Sequence, residues 1–149
     1  MTADVAERTV PAGFVPNTRK SPVTDAWEPL YAHEHDGVVE LGLHVAAQHC
    51  NARGFLHGGV IASLADNAMG HSFGATVRQA NPELLSAGAV TVSLSVDYVS
   101  VAPLGSWLEV RPRVVKAGKS MGFVDALILA DGEVIARASA TFKVLTPWT

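Results

Sequence analysis

The chain has 149 residues, of which 48% are hydrophobic and 17% charged, so one domain with a substantial core is expected. Its formal net charge is −3 and its 11 Lys and Arg residues are scattered, which argues against a nucleic-acid partner. The single Cys50 excludes an intrachain disulfide and a Cys-based zinc cluster. The sequence has no apolar run of about 18 residues and no segment like a signal peptide, so we expect a cytoplasmic protein without a membrane span.

The first part of the chain predicts an arm followed by a hairpin. Residues 1–25 are rich in Pro, Thr and small polar residues, so we expect an N-terminal arm with little regular structure, followed by a single domain over residues 26–149. Asp36-Gly37 is a common hairpin turn pair and predicts a strand on either side. The second strand alternates apolar and other residues, and its half-buried face is predicted to be Val39, Leu41, Leu43 and Val45.

A long apolar helix is predicted from about Gly58 to His71. Few charges interrupt it, which is typical of a helix that is buried on most sides. One acid, Asp66, stands in its middle. The apolar residues that repeat at helical spacing are Val60, Ile61, Leu64, Ala65, Ala68 and Met69.

Four more strands are predicted after the helix, separated by three turns, of which Asp131-Gly132 is the strongest hairpin signal. In the first of them, one face is predicted to carry Val90, Val92, Leu94, Val96 and Tyr98, and the other face Thr91, Ser93, Ser95 and Asp97. The predicted class is α+β, with a long central helix wrapped by a five- or six-stranded antiparallel sheet. A hot-dog fold fits this description, and composition alone does not separate it from other α+β sandwiches.

The start of the helix is the first candidate site. The first backbone N–H groups of a helix have no intrahelical partner and carry the positive end of its dipole. Gly58 and Gly59 have no side chains, so a ligand oxygen can approach these amides closely. A thioester carbonyl that becomes an oxyanion would gain about 3–4 kcal/mol from one such donor. By itself, the glycine pair more simply indicates a tight turn.

Asp66 is the second candidate. Burying an ionised carboxylate without partners costs free energy. Desolvation in general shifts a carboxyl group toward the proton affinity that a general base needs near neutral pH. Pairing with Asn67, Ser63 or a backbone group is an equally good structural explanation.

The spacing of the two candidates suggests a dimer. Gly58 and Asp66 are eight residues apart, which is roughly 12 Å along one helix. One chain cannot easily place both groups on the same thioester. Two antiparallel copies of the helix can, each lending its start to the acid of the other, if both groups are catalytic. A twofold arrangement then contains two equivalent shared sites.

The stretch NARGFLHGGVIASLAD, residues 51–66, resembles a known enzyme signature. It is similar to the Asn-x-x-Gly-x-x-His-Gly-Gly-x-x-x-x-x-x-Asp motif of hot-dog acyl-CoA thioesterases, most of all the phenylacetate-pathway type. The resemblance covers roughly residues 35–146 and includes DYVSVAPLG and GEVIARASATFKVL. The acid is Asp, where one 4-hydroxybenzoyl-CoA thioesterase branch has Glu, which favours the phenylacetate-type branch. The resemblance implies hydrolysis of acyl-CoA by a homodimer or homotetramer.

The resemblance also implies a role for each motif residue. The Gly58 backbone N–H would polarise the thioester carbonyl, and His57 would shape the turn before it. Asn51 would position the water or orient the thioester. Asp66 of the partner copy would be the general base or the nucleophile. No cofactor and no metal are implied.

Related enzymes often have a hydroxyl residue near the acid, on the strand after the helix. Alignment through DYVSVAPLG assigns this position to Thr91. Ser93 is two residues further and is predicted to face the same way, so it is the alternative.

CoA is expected to lie across the surface of the assembly. Two lysines in the KAGKSMGF turn are more simply explained by solvation. The predicted contacts of CoA are Gly59, Arg53, Lys119, Ser120 and Met121.

Two other function classes compete with hydrolysis. A non-catalytic acyl-CoA-binding module would keep the same motif. An acyl-thioester dehydratase or hydratase would need a catalytic His in a His-Phe-Pro-like segment, and this sequence has none. The pair His33 and His35 is a weak metal signal by itself, and a surface or core role is the simpler interpretation for these histidines.

Overall fold

In the computed structural model, residues 8–84 and 88–145 are described, and the statements below refer to them. They form a single seven-stranded antiparallel sheet with one long helix packed on one face. The elements in chain order are β1 (Val15–Pro16), α1 (Pro22–Asp25), β2 (Tyr31–His35), β3 (Val38–His44), α2 (Gly58–Ala80), β4 (Gly88–Tyr98), β5 (Trp107–Ala117), β6 (Met121–Ala130) and β7 (Glu133–Leu145). The strand order is β1-β2-β3-β5-β6-β7-β4.

The predicted α+β hot-dog architecture is confirmed. Six of the seven strands are those that the sequence predicts, and the seventh is the two-residue β1. The hairpin turns are confirmed as well, because both residues of each pair have positive φ: 50° and 77° at Asp36-Gly37, and 48° and 84° at Asp131-Gly132. Such a turn has the twist that two antiparallel strands require.

Helix α2 starts where predicted but ends at Ala80, nine residues beyond the predicted end at His71. The second half contains Gly74 and β-branched residues, which are weak helix formers. Tertiary packing outweighs that weakness, since Phe73 is fully buried and its ring stacks on Phe142 with centroids 5.6 Å apart. Gly122 on β6 makes room for this ring, because a Cβ there would lie 2.3 Å from the Phe73 Cε2.

Strand β4 has a bulge that the alternating pattern does not reveal. Thr91 pairs with Phe142 and Ser93 with Thr141, so two steps along β4 match one step along β7. Cross-strand partners share a face, and Phe142 is buried beneath α2. Thr91 therefore lies on the helix face and Ser93 on the outer face. The prediction that both hydroxyls share one face is wrong, because the bulge breaks the period of two.

The N-terminal arm has more structure than predicted. Residues 8–25 contain β1 and the one-turn helix α1, and residues 1–7 lie outside the described part. Phe14 packs edge-on against Trp107, with ring centroids 5.2 Å apart, on the sheet face opposite α2. Gly42 makes room for Trp107, because a Cβ there would lie 2.3 Å from its Cζ2. None of the described helices combines the length and the apolar character needed to cross a membrane.

Candidate functional site

The chain enters α2 through a short, well-bonded loop. Cys50 and Leu56 form an antiparallel bridge. The Leu56 N–H donates to the Ala102 carbonyl at 2.9 Å, and the His57 N–H donates to the His49 carbonyl at 2.9 Å. These bonds fix the direction in which the helix begins.

His57 caps the helix and leaves one amide free. Its Nδ1 accepts from the Gly59 N–H at 2.8 Å, and its carbonyl accepts from the Val60 N–H at 3.0 Å. Within residues 8–84 and 88–145, no acceptor is found for the Gly58 N–H, which belongs to the first helical residue. His57 is thus the local turn-shaping residue of the motif, and the Gly58 amide remains available to a ligand oxygen.

Tyr98 holds the helix start from the other side, and the sequence analysis did not single it out. Its hydroxyl donates to the Gly58 carbonyl at 2.6 Å. A Cβ on Gly58 would lie 3.2 Å from the Tyr98 Cζ, so the ring closely approaches the backbone there. The feature of the sequence that could have indicated this contact is that Tyr98 ends the strand that also carries Thr91.

Asp66 pairs with Thr91. The Thr91 hydroxyl donates to the Asp66 Oδ1 at 2.7 Å. Asp66 is half-buried in the single chain. Ser63 donates instead to the Gly59 carbonyl, and no bond from Asp66 to Asn67 is found among the described residues. Thr91 lies on the helix face because of the β4 bulge, which distinguishes it from Ser93.

Asn51 organises the loop before the helix. Its Oδ1 accepts from the backbone N–H groups of Arg53 at 2.9 Å and Phe55 at 3.3 Å. Its side-chain NH2 has no acceptor among the described residues and is the group that can reach a water or a thioester. The motif asparagine therefore shapes the loop through its oxygen and can act on a ligand only as a donor.

The residues expected to meet CoA are not together in one chain. Arg53 and Gly59 are exposed near the start of α2. Lys119 lies in the β5–β6 turn, 3.6 Å from Glu83, which follows the other end of the helix. The 23 residues of α2 span roughly 35 Å, so Arg53 and Lys119 are far apart.

Ser120 and Met121, the other two expected contacts of CoA, share the turn with Lys119 and are exposed. Their carbonyls are already used, by the Val144 N–H at 2.7 Å and the Gly118 N–H at 2.9 Å. The Ser120 hydroxyl has no hydrogen-bond partner in the described part of the chain, and the Met121 side chain is 42% exposed.

His49 supports the same loop from inside. It is 2% exposed, and its Nδ1 accepts from the Ala46 N–H at 3.0 Å. Burial lowers the pKa of His49, which keeps the ring neutral. A neutral ring can keep this acceptor bond, and the His49 carbonyl in turn receives the His57 N–H.

A groove of about 490 Å³ lies on the outer face of the sheet, away from these residues. Its arginines are paired, Arg113 with Asp125 at 3.0 Å and Arg137 with Asp97 at 2.9 Å. Because Asp66 and Thr91 lie on the helix face, the groove does not touch the candidate catalytic groups. The candidate catalytic groups therefore lie at the start and middle of α2 and not in this groove.

Comparison with known proteins identifies the family. Residues 53–136 match the family described as the thioesterase superfamily. The protein PA0474 of Pseudomonas aeruginosa, which carries a provisional esterase name, is 34% identical over 136 residues, or 91% of this chain and 97% of its own. Human acyl-coenzyme A thioesterase 13 is 35% identical over 107 residues, or 70% of this chain and 71% of its own.

Solved structures of similar proteins have the same fold. The protein smu.793 of Streptococcus mutans UA159, bound to acetyl CoA, has a TM-score of 0.67 at 27% identity and covers 76% of this chain and 86% of its own. The E. coli PaaI protein from the phenylacetic acid degradation operon shares the fold, with a TM-score of 0.72 at 20% identity over 85% and 86% of the two chains. The resemblance predicted from residues 51–66 is thereby confirmed, and the chain belongs to the thioesterase superfamily.

Proposed function

We propose that this protein hydrolyses acyl-CoA thioesters to a free acid and CoA, at a site shared by two copies of the chain. The observation that carries the proposal is the Gly58 N–H, for which residues 8–84 and 88–145 provide no acceptor, whereas the next two amides, of Gly59 and Val60, both donate to His57. That amide can donate to a thioester carbonyl and to the oxyanion formed from it. The acyl-CoA thioesterase 13 relative and the acetyl CoA bound to smu.793 support the substrate class.

The site needs a second copy because of the helix itself. Gly58 and Asp66 lie on the same continuous helix, roughly 12 Å apart along its axis. A reacting carbonyl has to lie within hydrogen-bond distance of the Gly58 N–H and close to a water held by Asp66. An antiparallel partner helix brings the two groups together, and twofold symmetry then produces two identical sites.

Strand β4 offers the surface for this dimer. Among the described strands it pairs only with β7, so its other edge has free backbone groups over 11 residues. Its exposed apolar side chains include Val92 at 54% and Tyr98 at 51%. An edge of this length and character favours pairing with another chain. A tetramer would form through the outer face, where Phe123 and Leu127 are exposed.

In the proposed reaction, Gly58 of one subunit donates to the thioester carbonyl. The partner subunit's Asp66 either removes a proton from a water that attacks the carbon, or attacks the carbon itself and is released by water afterwards. The C–S bond breaks in either route, and the CoA sulfur leaves as a thiolate that takes up a proton. The Thr91 hydroxyl occupies the Asp66 Oδ1 and so presents the other carboxylate oxygen to the reaction.

The first test measures thiol release from aromatic and aliphatic acyl-CoAs by the wild type and by Asp66→Asn. We expect kcat to fall by about 10²–10⁴-fold in the variant, since a general base or nucleophile is lost. A circular dichroism spectrum and melting temperature like those of the wild type would show that folding is intact. Equal turnover by both proteins would contradict the proposed role of Asp66. Acyl-CoA binding without turnover by either protein would support a binding module instead.

A second test asks whether the site is shared. Gly58→Pro removes the N–H, and proline is well tolerated at the first helical position. His57 has φ −66° and ψ 134°, which suits a residue before proline. Gly58→Ala is the matched control, since it adds a Cβ near Tyr98 and keeps the N–H. We expect Gly58→Pro to lose at least about 10²-fold in kcat, and Gly58→Ala to lose much less.

The two inactive variants are then mixed under conditions that exchange subunits. In a heterodimer of Asp66→Asn and Gly58→Pro chains, a shared arrangement leaves one site with both residues intact, so activity returns. If each chain carried a complete site, both sites would have one defect and activity would stay absent. Restored activity therefore supports the shared site, and its absence in a verified heterodimer would reject it.

A further inference from the structure

A cluster of two imidazoles and one carboxylate lies on the β2–β3 hairpin. His33 and His35 are two residues apart on β2, so they share a face, and Glu40 stands directly opposite His33 on β3. The His33 Nδ1 is 3.2 Å from the Glu40 Oε2, and the His35 Nε2 is 3.4 Å from the Glu40 Oε1. The ligand atoms of the three residues all lie within 4.8 Å of one another.

We infer that His33, His35 and Glu40 form a binding site for one divalent transition-metal ion of the Zn²⁺ type. Imidazole nitrogen combined with a carboxylate oxygen suits Zn²⁺, Ni²⁺ and Cu²⁺, whereas Mg²⁺ and Ca²⁺ prefer oxygen ligands. In a tetrahedral Zn²⁺ site with bonds of about 2.0–2.1 Å, neighbouring ligand atoms are about 3.3 Å apart. Each imidazole nitrogen lies close to that spacing from one oxygen of Glu40, His33 Nδ1 at 3.2 Å from Oε2 and His35 Nε2 at 3.4 Å from Oε1. The ligand atoms as a set lie within 4.8 Å of one another, so a small contraction would close them around one ion.

The neighbouring residues hold the ligands in place. The Glu40 side chain is only 15% exposed. The His33 ring contacts Phe14, with centroids 5.5 Å apart, and it lies against Gly13, where a Cβ would be 2.9 Å from the His33 Nε2. This packing turns the His33 Nδ1 toward Glu40. Ligands on two hydrogen-bonded strands need little rearrangement to close around an ion.

The position of the site indicates a structural role. β2 and β3 are separated from β4 by three strands, so the ion would lie far from Thr91 and the proposed reaction. It would join two strands at one edge of the sheet and fix the ring on which the N-terminal arm packs through Phe14. A ligand that binds only the folded chain raises the melting temperature.

The test titrates ZnCl2 into chelator-treated wild-type protein by calorimetry and follows the melting temperature with and without Zn²⁺. The variants are His35→Gln and Glu40→Gln. His35 is chosen rather than His33 because His33 also packs against the arm. The matched control is Glu34→Gln, which removes a neighbouring carboxylate on the opposite face of β2. Melting curves of the metal-free variants show whether each one is folded.

We expect one Zn²⁺ per chain in the wild type and in Glu34→Gln, with a raised melting temperature. The affinity should fall at least about 10-fold in His35→Gln and in Glu40→Gln. MgCl2 should have no effect on any of the four proteins. The absence of Zn²⁺ binding to the wild type would overturn the inference. Unchanged binding in both ligand variants would overturn it too, because the ion would then be held by other residues.

Discussion

At the scale of single residues, the site depends on which groups are already satisfied. His57 accepts a hydrogen bond from the Gly59 N–H, and Tyr98 donates one to the Gly58 carbonyl. Among the described residues this leaves the Gly58 N–H available to a ligand. Thr91 occupies one oxygen of Asp66 in the same way. In each case a neighbour binds one polar atom and leaves the adjacent one available. In the proposed reaction, these groups would be oriented before a substrate arrives, which would lower the cost of reaching the transition state.

Thr91→Val removes the hydroxyl and keeps the shape. We expect kcat to fall by about 10-fold because the Asp66 carboxylate loses the bond that orients it, which is an effect of about 1.4 kcal/mol on the barrier. Thr91→Ser keeps the hydroxyl and should retain most of the activity. Ser93→Val is the control on the outer face and should have no effect on kcat. A loss in Ser93→Val equal to that in Thr91→Val would mean that the bulge does not separate the two positions.

Part of this site could be predicted from the sequence. The motif located Asn51, His57, Gly58 and Asp66, because a helix start and a spacing along one helix can be counted in the chain. The contact with Thr91 depends on a bulge, and the contact with Tyr98 on the course of a strand that returns 40 residues later. These follow from the register of a sheet, which local sequence patterns do not contain.

At the scale of elements, α2 owes its length to packing. The sequence predicted its first 14 residues from helical periodicity and ended it at His71. The remaining nine residues include glycine and β-branched residues, and they stay helical because Phe73 and Val77 are buried against the sheet. Propensity predicts where a helix forms easily, whereas burial decides how far it continues.

Phe73→Ala should therefore cost about 3–5 kcal/mol in the free energy of unfolding, since a fully buried ring is lost and leaves a cavity. Urea unfolding followed by circular dichroism measures it. Val23→Ala on α1 is the control, because that side chain is 58% exposed and takes no part in the proposed subunit contacts. Its cost should be far smaller. Similar losses for both substitutions would contradict the assignment of Phe73 to the core.

At the scale of the whole molecule, the two faces of the sheet have different surroundings. The helix face holds the core and, with Thr91, one part of the proposed site. The outer face is covered at one edge by the arm, through Phe14 on Trp107, and is open at the other, where Phe123 and the paired arginines lie. The class and the order of the elements could be predicted from periodicity. The position of the arm could not, because it depends on contacts between residues far apart in the chain.

Two histidines, buried His49 and half-buried His71, make the stability of the whole fold depend on pH. Burial lowers the pKa of His49 and of His71 below the ordinary value of 6.5. Between 6.5 and the lowered value the unfolded chain binds more protons than the folded one, so stability falls as the pH falls. Glu34, whose pKa is lowered by its hydrogen bond from Arg19, acts with the same sign, but only below about pH 4.5.

We therefore expect the free energy of unfolding to be constant from pH 8 to 7 and to decrease from pH 6.5 toward 5. Urea titrations at four pH values measure this. His49→Gln can keep an acceptor for the Ala46 N–H and cannot become charged, so its decrease should be shallower. Comparison at pH 8 separates the packing cost of the substitution from its effect on protonation. An unchanged slope in the variant would show that His49 does not contribute.

Gly58 and Asp66 lie on a single helix, so the proposed site depends on the number of residues between them. One residue inserted between them would turn Asp66 by roughly 100° about the helix axis and move it by about 1.5 Å, away from Thr91. The same insertion in the loop before Asn51 would leave that geometry intact. In the proposed shared site, substitutions between the two positions can therefore vary in chemistry while their number stays fixed, because the helix sets the distance between the group given to one site and the group given to the other.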